Sequence, residues 1–286
     1  LTSISLSPTL FDDVRGSSQD YEWYVRYKGT NLGWTPWSSP TTSTTSVFAL
    51  FNINITSDRD GYILYDEIRN GFNWNGSQRL QGTVTISSGV VIGALDTSSY
   101  AVVVDRIPTG SNITLQNNGR ITGAGGKGGT ADRTPNNGSN GGAALRVADS
   151  ITLQNGNGII AGGGGGGGAG YFVDGADNQN EYFASGGGGA GKSAGARGDS
   201  LIDAPGNTAL GLDGTLTSGG AGSSVNSESG TSNVATGGAG GDLGQSGTSG
   251  SGAQGASAGG SPGDAIVGIG NVSFVSGSGN VVGPTS

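Results

Sequence analysis

The chain has 286 residues with 61 glycines, and its 13 basic and 21 acidic side chains give a formal net charge of −8. It contains no cysteine, histidine or methionine, which excludes disulfides, cysteine or histidine metal sites, and Ser-His-Asp or Cys-His catalysis. No basic stripe points to nucleic acid, and no apolar run is long enough for a membrane helix, so neither partner is expected, nor is any cofactor or metal.

The start "LTSISLSPTL", with Leu rather than Met at position 1, reads as the beginning of a processed or excised part of something longer. In "YEWYVRYKGTNLGWTPWSSP", Tyr21, Trp23, Val25 and Tyr27 alternate with Glu22, Arg26 and Lys28. That alternation predicts a half-buried strand followed by a turn at Gly29 to Gly33. From Phe48 to Val104, the runs "FALFNINIT", "GYILY", "GTVTISSGVVIG" and "YAVVVD" are separated by Asn, Gly, Asp and Ser, the pattern of a compact all-β module. Its carboxylates Asp58, Asp60, Asp66 and Glu67 flank strand ends, where solvated turns are expected rather than catalysis.

Beyond Gly119 the material changes: 51 of the 61 glycines fall there. Leu, Ile, Val and Phe together supply 26 of those last 168 residues, too few for a conventional core. Yet "SNITLQNNGRITGAGG" from Ser111 recurs as "DSITLQNGNGIIAGGG" from Asp149. Ile113, Leu115 and Gln116 thus map onto Ile151, Leu153 and Gln154. A weaker copy, "GNVSFVSGSGNVVG", sets Val272 and Phe274 against Ile151 and Leu153, and Ala265 matches Ala144. A flexible linker has no reason to carry such strands.

Glycine tracts order only where backbone pairs with backbone, because glycine has no side chain to bury and loses most entropy on folding. Parallel polyproline II-type rods, with three residues per turn, meet that need, since glycine lets their N–H and C=O groups pair between rods. The tracts Gly123 to Gly129, Gly138 to Ala144, Ala161 to Gly170 and Ser185 to Gly191 suit it; at ~3.1 Å per residue each is roughly 20 to 30 Å long. If rods alternate in direction, the loops 130–137, 171–184 and 223–236 share one end. The repeated ITLQ strands and the stretch 192–218 then lie at the other.

The expected fold class is therefore mainly β plus a polyglycine II helix bundle, with almost no α-helix. The pattern of an aromatic, Trp23, Val25-Arg26, Gly33-Trp34 and Trp37-Ser38-Ser39-Pro40 resembles the last two strands of a fibronectin type III domain, so the expected units are a fibronectin type III-like remnant or β-strand segment over 1–46, a small all-β module over 47–107 and a glycine-rich polyglycine II domain over 108–286.

Gly-rich tracts broken by polar loops, introduced by "ITLQNNGRITGAGGKGG", resemble the receptor-binding domain of T-even-type bacteriophage tail-fibre adhesins over residues 108–286. The resemblance implies a virion tail-tip protein, outside the cell, whose loops bind a bacterial outer-membrane protein or lipopolysaccharide, alongside other phage tail proteins. The N-terminal part instead resembles the end of a lambda-type host-specificity tip protein, which implies a homotrimer. On this reading the chain is not an enzyme. The alternatives are a glycine-rich ice-binding protein and a surface-polysaccharide enzyme.

The candidate receptor-binding residues are Asp132, Arg133, Asn136 and Asn137 in one loop, and Tyr171, Phe172, Asp174, Asp177, Asn178, Asn180, Glu181, Tyr182 and Phe183 in the next. The four aromatics are symmetric about "VDGADNQNE" and could either pack on the rod ends as a lid or stand exposed as anchors. Three motifs carry less. "GGGGAGKS" ending at Ser193 spells a phosphate-binding loop, but Gly195, Gly198 and Pro205 deny it the following helix. "RGD" at Arg197 is a tripeptide in a polar stretch, and "GGAGGDLGQ" at Gly237 lacks the apolar residue and tandem spacing of a calcium β-roll.

Overall fold

The ITLQ repeats are stacked turns of one coil. The computed structural model describes residues 48–72, 74–174, 180–201, 207–226 and 234–286, together with the strands Gln19–Trp23 and Thr41–Thr45. Within 49–286 the chain visits three parallel sheets in turn. The first holds Ala49–Ile55, Leu80–Ile86, Asn112–Asn117, Ile151–Gln154 and Val272–Ser276. The second holds Arg59–Asp60, Val91–Gly93, Arg120–Thr122, Ile159–Ala161 and Val281–Val282, and the third Tyr62–Ile63, Val102–Val104, Leu145–Val147 and Ile266–Val267. This is a three-faced β-solenoid.

Its register is the sequence repeat made physical. Leu153 lies beside Leu115 on one side and Phe274 on the other, and Leu115 beside Val84, which lies beside Ile53. Alternate residues point inward, so Ile55, Ile86, Ile113, Leu153, Ile92, Ile121, Ile160 and Leu145 form one buried core. At one corner Asn117 donates from Nδ2 to Asn155 Oδ1 at 2.8 Å, and Asn155 donates to Gly277 O at 3.2 Å. These stacked amides satisfy each other where the coil turns. A single α-helix among the described residues, Leu64–Gly71, adds Leu64 and Ile68 to the core one turn apart.

The boundary expected at 107/108 does not separate two units, because Leu80–Ile86 and Asn112–Asn117 pair along their length in the first sheet. Short strands joined by irregular corners hide such a repeat in the early coils. The fibronectin-like expectation falls mostly outside the described residues. Within them, Gln19–Trp23 pairs antiparallel with Thr41–Thr45.

The glycine-rich part consists of two excursions from the same corner of successive coils. One, 123–144, joins Arg120–Thr122 to Leu145–Val147; the other, 162–265, joins Ile159–Ala161 to Ile266–Val267. Each strand runs straight into an extended segment, and the ladder continues with a period of three. Gly123, Gly126 and Gly129 donate to Ala161, Gly164 and Gly167, while Gly138, Gly141 and Ala144 donate to Ala258, Ser261 and Asp264.

These bonds define ten segments: two central ones and a ring of eight. Segment 162–170 bonds to 123–129, 138–144, 185–191, 237–242, 245–250 and 256–263. Segment 185–191 bonds to 123–129, 162–170, 195–200, 210–215, 219–223 and 237–242. Both are buried at every residue. The ring closes in the order 123–129, 138–144, 256–263, 245–250, 237–242, 219–223, 210–215, 195–200.

Apart from the buried Ala169, Ser185 and Ala190, the two central segments are all glycine, and glycine is required there. A Cβ on Gly163 would meet Ala124 O at 1.9 Å, and one on Gly167 would meet Gly238 O at 1.9 Å. A ring segment needs glycine where it faces a central one, as at Gly211 and Gly214, whose Cβ atoms would meet Gly186 O at 2.7 Å and Gly189 O at 2.1 Å, or where it abuts its neighbour in the ring, as at Gly126, whose Cβ would meet Ser139 O at 2.0 Å. The stretch 192–218, expected as a single loop at the solenoid end, is therefore two ring segments joined at the far end. Its sparse glycines at three-residue spacing are all that those positions require.

Candidate functional site: the distal end of the bundle

Because consecutive segments along the chain run in opposite directions, five connections leave and re-enter the bundle at the end away from the solenoid: 130–137, 171–184, 201–209, 224–236 and 251–255, of which 175–179, 202–206 and 227–233 lie outside the described residues. Bridges tie them together. Ala131 pairs with Ser200, Phe183 with Thr208, Tyr171 with Gly255, and Thr236 with Ser251.

At their centre is a hairpin of Gly170–Val173 and Glu181–Ala184, with Tyr171 opposite Phe183 and Phe172 opposite Tyr182. Alternation sends the two pairs to opposite faces. Tyr171 and Phe183 stack at 5.1 Å against Ala131, and Phe172 and Tyr182 lie 5.9 Å apart against Val225 and Ala235 of the neighbouring hairpin. All four are buried, Phe183 completely and Tyr171 to 8 % exposure. The expectation of exposed aromatic anchors is therefore corrected. Their rings fill the space above the glycine rods and form a small apolar platform.

The polar candidates frame this platform. Arg133 donates from Nε and Nη2 to both oxygens of Glu181, each at 2.7 Å, and the Tyr171 hydroxyl donates to Glu181 Oε1 at 2.8 Å. The Arg133 hydrogen bonds hold the Glu181 carboxyl below its ordinary range, and burial followed by the Glu181 contact pushes the Tyr171 phenol up. The fork clamps loop 130–137 to the hairpin. A depressed carboxyl stabilises the fold above its unfolded pKa, and that contribution disappears as pH falls through the folded pKa. Glu181→Gln should therefore flatten the acid limb of a stability profile below about pH 4, read by thermal unfolding at stepped pH.

Asn137 Oδ1 accepts from Ala258 N at 2.9 Å, and Asn136 O accepts from Ser257 Oγ at 2.6 Å, so this part of the loop also anchors a neighbouring segment. Asp132 Oδ1 accepts from Arg133 N, and Asn180 O from Asp174 N. Asp132 and Asp174 are half-buried, Asn180 exposed. Asp177 and Asn178 lie outside the described residues. The connections 201–209 and 251–255 belong to the distal end too; the interval of three between Gly195 and Gly198, and between Gly211 and Gly214, is the signal that could have placed the first.

The remaining motifs sit elsewhere. Lys192, of the phosphate-loop spelling, lies at the solenoid end, where its ammonium bonds to Asp60 and to Arg59 O. Lys192→Met should leave cell binding unchanged and alter stability by less than about 1 kcal/mol, by adsorption assay and thermal unfolding. Arg197 to Asp199 run within ring segment 195–200, with Asp199 paired to Lys127. Asp242 accepts from Gly219 N at 3.0 Å, and Gly244 turns the chain at φ 68°.

Comparison with known proteins agrees with this architecture. The phage tail fibre adhesin Gp38 family matches residues 50–286. The match includes the β-module, which therefore belongs with the adhesin and not, as the resemblance to a lambda-type tip protein implied, with another protein type. No curated protein matches. Among solved structures, the chain resembles one in the crystal structure of the gp37-gp38 adhesin tip complex of the bacteriophage S16 long tail fiber. The TM-score is 0.55 at 24% identity, over 82% of each chain, a likeness of fold. With the family profile spanning solenoid, glycine segments and distal loops alike, the chain belongs to the phage tail fibre adhesin Gp38 family.

Proposed function

We propose that this tail-fibre adhesin recognises a bacterial outer-membrane protein through its distal connections, held on a scaffold of polyglycine II helices. The period of three in the backbone ladders supports the helix type, as does the absence of positive φ among the described glycines of both central segments. The observation that carries the function is the convergence of five connections at the end farthest from the solenoid. The residues proposed to meet the receptor are Asp132, Asp174, Asp177, Asn178 and Asn180, with Arg133 and Glu181 as the clamp that orients them. Asn136 and Asn137 hold their loop in place, and the aromatics act from beneath. A platform already folded limits the ordering cost of binding.

Membership of an adhesin family supports a binding role rather than catalysis or ice recognition. The solved relative was crystallised in a gp37-gp38 adhesin tip complex, which supports another tail protein as the partner of this chain at a fibre tip. Host strains each lacking one outer-membrane protein provide the test. Loss of binding of the fluorescent chain in one such strain is expected; binding retained in every strain but lost on truncating lipopolysaccharide would reject the protein receptor.

A further inference from the structure

A groove of about 390 Å³ lies at the opposite end, between one corner of the solenoid and the near-end turn 215–218 of the bundle. Stacked corners at Gly89 and Gly119 make its floor; a Cβ on Gly119 would strike Val90 O at 2.3 Å, so the coil can turn tightly there only with glycine. Val90, Ile159 and Leu216 give it apolar walls, and Asn118, Asn157 and Thr217 a polar rim. Asn157 donates from Nδ2 to Asn118 Oδ1 at 3.3 Å, which aligns the two amides on successive coils.

Arg120 also lines this groove and is half-buried. Among the described residues, only Arg120 and Arg197 are basic side chains without a hydrogen bond or ion pair to another residue. Arg197 is exposed on the bundle surface, whereas Arg120 sits between apolar walls in a chain of net charge −8. An unpaired guanidinium in such a place favours a carboxylate, which its planar fork can bind bidentately. The nearest described acid along the corner, Asp58, has Oδ1 occupied by Val91 N at 2.8 Å and lies two coils away. At ~4.8 Å per strand that is about one screening length at physiological salt, so it weakens an anion site only modestly.

We propose that this groove binds an acidic monosaccharide unit of a surface glycan, its carboxylate on Arg120, its hydroxyls on the amide rim and its ring against the aliphatic walls. The amide and hydroxyl rim, which can both donate and accept, fits a polyhydroxyl ring better than an acidic peptide, and the volume matches a small-ligand cleft. The site is separate from the distal loops and does not depend on the receptor reading.

Ligand-observed saturation-transfer NMR on the full chain tests it, with galacturonate, neutral methyl galactoside and an acetylated aspartyl peptide as probes. Galacturonate should give the strongest transfer, Arg120→Gln should weaken it about tenfold or more, and Arg197→Gln should leave it unchanged. Leu216→Glu, which places a negative charge at the wall, should also suppress it while circular dichroism stays native. Absence of transfer from galacturonate, equal transfer in the Arg120→Gln chain, or preference for the peptide would overturn the proposal.

Discussion

Gly165→Ala is expected to destabilise the chain by about 4 kcal/mol or more. The new Cβ would lie 2.0 Å from Gly260 O and 2.5 Å from Gly260 C. Those are backbone atoms of a segment whose own donors bond to the central one, as Gly260 N does to Gly166 O at 2.7 Å. A side-chain neighbour could change rotamer; this one can retreat only by breaking the ladder. Gly270→Ala is the control, because nothing lies within 4 Å of its added Cβ, and it should change stability by less than about 0.5 kcal/mol. Thermal unfolding of both variants reads the contrast. Equal behaviour would mean that the central segments are not backbone-packed.

The second large effect belongs to the distal platform. Phe183→Ala should cost about 3 to 5 kcal/mol, since the ring is completely buried, stacks on Tyr171 and touches Ala131. Cell binding should fall with it, because the hairpin and loop 130–137 lose their common support. Tyr171→Phe separates support from contact. It removes only the hydroxyl bond to Glu181, and should cost about 0.5 to 1.5 kcal/mol while cell binding persists. Paired unfolding and adsorption measurements distinguish a supporting ring from an anchoring one: an anchor would lose binding in Phe183→Ala without losing stability.

What could be read in advance follows from the density of the signal. The copies at Ile113, Ile151 and Val272 were visible because their strands keep the same apolar spacing, and the register places them side by side. The first two coils carry the same inward rows but interrupt them with the helix Leu64–Gly71 and a different corner, so they read as a separate module. The four tracts expected as rods are segments of the bundle, and both central ones are among them. The ring segment 210–215 escaped because a position facing solvent tolerates Leu210 or Asp213, leaving only Gly211 and Gly214 to mark the inner face. The aromatic pairs were identifiable as a unit, but not their burial. Alternation says only that the two pairs face opposite ways, and both faces are covered by Ala131 on one side and by Val225 and Ala235 on the other, contacts made by chain distant in sequence.

The clamp between Arg133 and Glu181 illustrates the same limit. Both residues were candidates for receptor contact from their loop positions, and the fold joins them to each other. In the proposed function their part is one of positioning, and Asp132 and Asp174 are the acidic candidates outside the clamp among the described residues.

The most direct test of recognition by the distal end replaces residues 175–179 and 227–233 with Gly/Ser sequence of equal length, keeping the flanking hairpin strands. Equilibrium binding to host cells should weaken by at least about tenfold with the unfolding temperature unchanged. Undiminished binding by this folded variant would contradict the account.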